Sequence, residues 1–109
     1  MDVNIGLLTT TAINVNGAAS HTILSVPVGK KFVVFACYVV AGGAATVEVK
    51  SQASALTGEL DVSATAPLNF GVGMEFPIWL GLASGDDLIF TTVGAVDFDG
   101  WVMTALVDG

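Results

Sequence analysis

The chain contains no arginine, and its three lysines stand against ten carboxylates, for a net charge of −7. Phosphate and base recognition lean on Arg and Lys. The only basic cluster is Lys30-Lys31, so nucleic acid is not expected as a partner. Charge of either sign is scarce: 12% of residues, against about 25% in an ordinary soluble domain. A single cysteine, Cys37, cannot form an internal disulfide, and its place in an apolar stretch reads as a buried thiol. There is one histidine, His21, and no Ser or Cys in a nucleophile elbow. The thirteen glycines fall singly or in pairs, so no phosphate-cradling loop exists. Proton-transfer chemistry needs groups held close together. Without them no catalytic residue, no cofactor and no enzymatic activity is expected.

Long apolar runs are also missing. Hydrophobic residues make up 53% of the chain and mean hydropathy is +0.79. Gly, Thr, Asp and Asn nevertheless interrupt every window of about 18 residues, the length a membrane helix needs. The opening Met1-Asp2-Val3-Asn4 has no basic stretch, so no signal peptide is expected and the protein is expected to be made in the cytoplasm. High apolar content with little charge then points to surface hidden in an assembly.

The carboxylates offer the only plentiful chemistry. Asp97-Phe98-Asp99-Gly100 matches the opening of a calcium loop, but Trp101 to Val107 follow where the later ligands should be. It reads as an Asp- and Gly-rich hairpin turn, with no metal. Asp86-Asp87 after Gly85 also reads as a turn. Tyr38, Trp79, Trp101 and the six phenylalanines could form a sugar-stacking platform, although most lie in apolar runs and read as core.

What is present is dominated by Val26 to Val40. Pro27-Val28-Gly29-Lys30 is a tight connection, and Lys31 to Val40 follow as the longest apolar segment. Both parities of that segment are apolar: Phe32, Val34, Ala36, Tyr38 and Val40 on one side, Val33, Phe35, Cys37 and Val39 on the other. Such a strand needs cover on two faces. If Gly42-Gly43 closes a hairpin onto Ala45 to Ser51, Tyr38 faces Val47 and Ala36 faces Val49, so the first set is core. The second set then waits for a partner. Covering 400 Å² of it would contribute roughly 10 kcal/mol before ordering costs.

Elsewhere, Val3, Ile5, Leu7 and Leu8 form an apolar arm, followed by a short strand around Ile13 and Val15. Further strands are expected at His21–Val26, on either side of Gly58, at Pro67–Phe70, Glu75–Leu80, Leu88–Val93 and Trp101–Val107. Eight or nine strands separated by Gly or Pro turns indicate an all-β chain, an antiparallel β-sandwich of jelly-roll type. Residues 1–16 form the N-terminal arm and first strand, and 17–109 a single sandwich domain.

Three segments carry a resemblance. Thr22 to Phe32, with Val26-Pro27-Val28-Gly29-Lys30 at its centre, resembles the strand–turn–strand opening of small bacteriophage virion proteins. Leu80-Gly81-Leu82-Ala83-Ser84-Gly85-Asp86-Asp87-Leu88 resembles a turn shared by those proteins and by trimeric jelly rolls of the tumour-necrosis-factor-like kind. Gly100-Trp101-Val102 resembles their closing strand. The resemblance implies a jelly roll, a homotrimer and a place on the virion as a head decoration (cement) protein bound to the major capsid protein. A tail or spike glycan-binding module and a head-tail connector are the alternatives. Residues expected at a subunit or shell interface are Val3, Ile5, Leu7, Leu8, Lys30, Lys31, Val33, Phe35 and Val39.

Overall fold

The structure is a computed structural model that describes residues 8–71 and 77–109. Its described residues form ten strands and no helix: β1 (Thr9–Asn16), β2 (Ala19–Leu24), β3 (Lys30–Ala41), β4 (Ala45–Ser51), β5 (Ser54–Ala55), β6 (Leu60–Val62), β7 (Leu68–Phe70), β8 (Trp79–Leu80), β9 (Leu88–Val93) and β10 (Asp97–Asp108). They build two antiparallel sheets packed face to face. The first runs β1-β10-β3, with β7 and β8 on the far side of β3. The second runs β2-β9-β4, with β5 and β6 on the far side of β4. The described residues thus hold ten strands where eight or nine were expected, and each sheet ends in a broken edge, two short strands laid along one long neighbour. Residues 1–7 and 72–76 lie outside the described residues, and with them Val3, Ile5, Leu7 and the start of the expected Glu75–Leu80 strand. β1 is an integral edge of the first sheet, paired with β10 from Thr9–Thr104 to Asn16–Asp97.

The core lies between the sheets. Phe32, Val34, Cys37, Val39 and Ala41 of β3 pack with Ile13, Phe98 and Val102 against Val47, Val49, Leu88 and Phe90 of the second sheet. Valine and phenylalanine fit this pleated, covered surface, which is why these segments are strands.

Two expectations about β3 are corrected. The expected hairpin with β4 does not form, because β3 and β4 belong to different sheets. Each already has a neighbour on both sides, so Gly42–Ala44 carries the chain across the sandwich. The Gly42 N–H there donates to the Asp97 carbonyl at 2.9 Å. The expected division of faces also fails. Met103 pairs with Ala36 and Thr104 with Val34, so Phe35 is an extra residue, a β-bulge. Phe32 and Val34 face inward on one side of the bulge; Cys37, Val39 and Ala41 face inward on the other. A single inserted residue exchanges the two parities halfway along the strand.

Asp97–Gly100 is likewise not a hairpin turn. It forms the first four residues of β10, with Phe98 in the core and the two Asp side chains exposed.

Candidate interaction surface on the first sheet

The two outer faces of the sandwich differ in chemistry. On the second sheet the outward positions of β4 are Thr46, Glu48 and Lys50, opposite Val93, Thr91 and Ile89, and Lys50 pairs with Glu48 at 3.3 Å. That face is polar along β4 and mostly apolar along β9, where Val93 is 52% exposed. On the first sheet the outward positions of β10 are Trp101, Met103, Ala105 and Val107, opposite Tyr38, Ala36, Val33 and Lys31 of β3; Ala105, Ala36 and Val33 are buried there. Leu80 extends the row from Val33 and is 53% exposed. The apolar positions at the Lys31 end give way to aromatic and polar ones at the other. There Trp101 lies between Ala12 and Tyr38, and Asp99 between Asn14 and Val40.

At the Lys31 end two of the motif segments pack on each other. The Gly29 N–H donates to Ser84 Oγ (2.7 Å), the Gly85 N–H to the Lys30 carbonyl (2.8 Å), and the Gly81 N–H to the Phe32 carbonyl (2.9 Å). Asp86 and Asp87 serve this junction. Asp86 accepts from the buried Ser51 hydroxyl at 2.8 Å, and Asp87 accepts from the Val26 N–H at 2.8 Å. Their role is structural, and the different donors hold the carboxylates apart. Val28 (92% exposed) and Leu82 (57%) project from the same two segments, beside Leu80. Lys30 forms an exposed ion pair with Asp108 at 2.6 Å, and Lys31 stands on the outer face opposite Val107. The Lys30 ammonium holds the Asp108 carboxyl below the usual range, by hydrogen bond and by charge.

Of the residues expected at an interface, Leu8 is half exposed and adjoins the Thr9–Thr104 pair, on the side of β10 that leads to the Lys30 end. Lys31 and Val33 take outward positions, Lys31 partly exposed and Val33 buried at 5% exposure, and Phe35 is the bulge residue, partly exposed. Val39 lies in the core at 1% exposure, where it meets no partner. Tyr38, Ala36 and Val40 take the outward positions instead. The β10 contribution was readable as the alternation Asp97, Asp99, Trp101, Met103, Ala105, Val107, but Gly100 suggested a turn and hid it.

The remaining candidate groups, His21 and Cys37, lie apart from this surface, His21 on β2 of the second sheet and Cys37 in the core. His21 Nε2 lies 3.1 Å from Thr92 Oγ1, whose hydroxyl donates to the Gly17 carbonyl at 2.7 Å. The threonine oxygen is thereby left to accept from an Nε2–H. Burial pushes the Cys37 thiol up to about 12. No group of three or more His, Cys, Asp or Glu among the described residues is arranged to hold a metal ion. No helix among them is long and apolar enough to cross a membrane. No protein-family model matches the chain, and no curated protein matches it significantly.

Proposed function

We propose that this chain is a structural virion protein, a head decoration (cement) protein that binds the shell as a homotrimer and has no enzymatic activity. The observation that carries the reading is the cluster of exposed Val28, Leu80 and Leu82 at the Lys31 end of the first sheet, continuous with outward positions that are mostly apolar, of which Val33, Ala36 and Ala105 are themselves buried. Exposed apolar side chains clustered in this way support an interaction surface. The finer assignment of the sandwich as a jelly roll is part of the proposal. The steps β1 to β2, β2 to β3, β3 to β4 and β9 to β10 each change sheet, and the β1-β10-β3-β7 and β2-β9-β4-β5 orders support that topology. Three-fold closure and the shell as partner rest on the resemblance of the Val26–Phe32 and Leu80–Leu88 segments to phage virion proteins. In this reading the apolar half of the first sheet is covered by neighbouring subunits, and the Lys30–Lys31 end, with its exposed Val28 and Leu82, meets the major capsid protein on the particle surface.

Light scattering coupled to size exclusion tests the oligomer. Three chains of 11.1 kDa give about 33 kDa. Leu80→Asp and Phe35→Asp should dissociate the assembly. An intact chain that runs as a well-behaved 11.1 kDa monomer at high concentration refutes the trimer. Particle imaging with and without the protein tests the location. Density at many equivalent lattice positions is expected; density only at the neck or tail would replace the cement role by a connector or spike.

A further inference from the structure

We propose that Tyr38 and Trp101 form a carbohydrate-binding platform for neutral oligosaccharides, at the end of the first sheet away from Lys31. The two residues are direct cross-strand partners on the outer face. Their rings lie nearly parallel, 16° apart with centroids separated by 6.4 Å. Both remain partly exposed. The protein's other tryptophan is used differently: Trp79 packs against the core and meets Phe70 edge-on at 5.5 Å. Stacked, partly exposed aromatic rings suit a ligand that presents flat C–H surfaces to the electron-rich side of a ring.

The surroundings narrow the ligand class. Register places Asn14 and Asp99 in the row beside the pair, and Asn69 directly across from Tyr38. All three are exposed, and none makes a side-chain hydrogen bond among the described residues. Amide and carboxylate groups around an aromatic floor supply the donors and acceptors that sugar hydroxyls need. The small Ala12 on the other side of Trp101 leaves that edge of the platform open. Charge excludes the competing stacked ligands. Asp97 and Asp99 sit at this end, the three lysines lie toward the other, and the chain carries −7 overall, so nucleic acids and anionic glycans are repelled. An apolar peptide would leave the ring of amides unused. A neutral glycan uses both features.

The inference does not depend on shell binding, because it concerns the isolated protein and the opposite half of the face. The test is isothermal titration of the full chain with cellohexaose, maltohexaose, chitohexaose and, as an anionic comparison, an oligogalacturonate. Saturable binding of at least one neutral oligomer is expected, with none of the oligogalacturonate. Trp101→Ala and Tyr38→Ala should weaken it at least about tenfold, and Asn14→Ala, at an exposed position that leaves the fold intact, severalfold. Trp79→Phe should bind as the unmodified chain does. If no neutral oligomer binds, if the oligogalacturonate binds equally well, or if the Asn14→Ala and Tyr38→Ala proteins bind undiminished, the platform is refuted. An unmodified chain that binds a neutral oligomer but does not attach to shells would refute the cement role and leave this site standing.

Discussion

The backbone N–H of Val26 donates to Asp87 Oδ1 across 2.8 Å, joining residues 61 positions apart. Val26 ends the segment that follows β2, and Asp87 precedes β9. The bond fixes where the Pro27–Lys30 connection leaves the second sheet. Val26 is only 7% exposed, so water cannot easily replace the acceptor.

Replacing that acceptor should therefore be costly. Asp87→Ala strands the Val26 N–H and should lower stability by about 1–3 kcal/mol, whereas Asp87→Asn keeps an oxygen and should cost less. Urea unfolding reads both, as a lower midpoint with unchanged slope. Equal midpoints for Asp87→Ala and the unmodified protein would remove the bond from the account of this junction.

The bulge makes a register prediction. Deleting Phe35 leaves Val34, Ala36 and Cys37 in plain alternation, with Val34 and Cys37 still inward. Deleting Tyr38 instead turns Val39 and Ala41 outward. The Phe35 deletion should keep a cooperative thermal transition, and the Tyr38 deletion should not. The reverse order would mean that the bulge is misplaced.

Gly100 and Gly17 should respond differently to alanine. A Cβ on Gly100 would come within 1.8 Å of the Tyr38 carbonyl oxygen, at φ +156°, and the backbone of β3 cannot yield. A Cβ on Gly17 meets nothing, and only its φ of +81° resists the change. Gly100→Ala should cost at least about 3 kcal/mol and Gly17→Ala about 1 kcal/mol. Denaturant melts compare them directly.

Cys37 should resist iodoacetamide in the folded protein at pH 8 and react on addition of denaturant. The thiol ionises from its ordinary value of 9.0 when unfolded and from about 12 when folded. The folded state thus keeps the proton longer. This contribution is complete below pH 9.0 and falls as pH rises toward about 12. Cys37→Val should remove that part of the alkaline slope. Rapid native labelling would show that β3 opens.

The ion pair at the Lys30 end should matter little for folding. Side chains 45% and 94% exposed are screened by solvent, so Asp108→Asn should leave the melting temperature unchanged at moderate salt. The lowered Asp108 pKa has its sign accordingly: any contribution is present above the unfolded carboxyl value and lost as pH falls through the folded one. A Lys30→Ala, Lys31→Ala protein that binds shells with unaltered affinity and salt response would exclude these cations from the shell contact.

Much of the architecture was legible in the sequence because it is set by local chemistry. Valine-rich runs between Gly and Pro turns, with no helical periodicity, make strands. Ala45–Ser51, Leu88–Val93 and the two short strands around Gly58 lie where the pattern puts them. The two-sided apolar character of Lys31–Val40 showed that one face of β3 must look outward. From the sequence alone no catalytic, metal or phosphate chemistry was expected, because no motif for it is spelled out. What only the tertiary structure decided is which side chains form each face and which strand lies beside which. Strand pairing is a long-range choice: the partner of β3 is β10, some sixty residues on, and not the adjacent β4. The bulge at Phe35 exists because β3 must match β10 over its whole length while keeping Phe32 and Val39 in one core. No local pattern signals it, since every residue around it is apolar. The same pairing sets Trp101 beside Tyr38. It assembles a surface from residues whose spacing along the chain shows nothing of their contact.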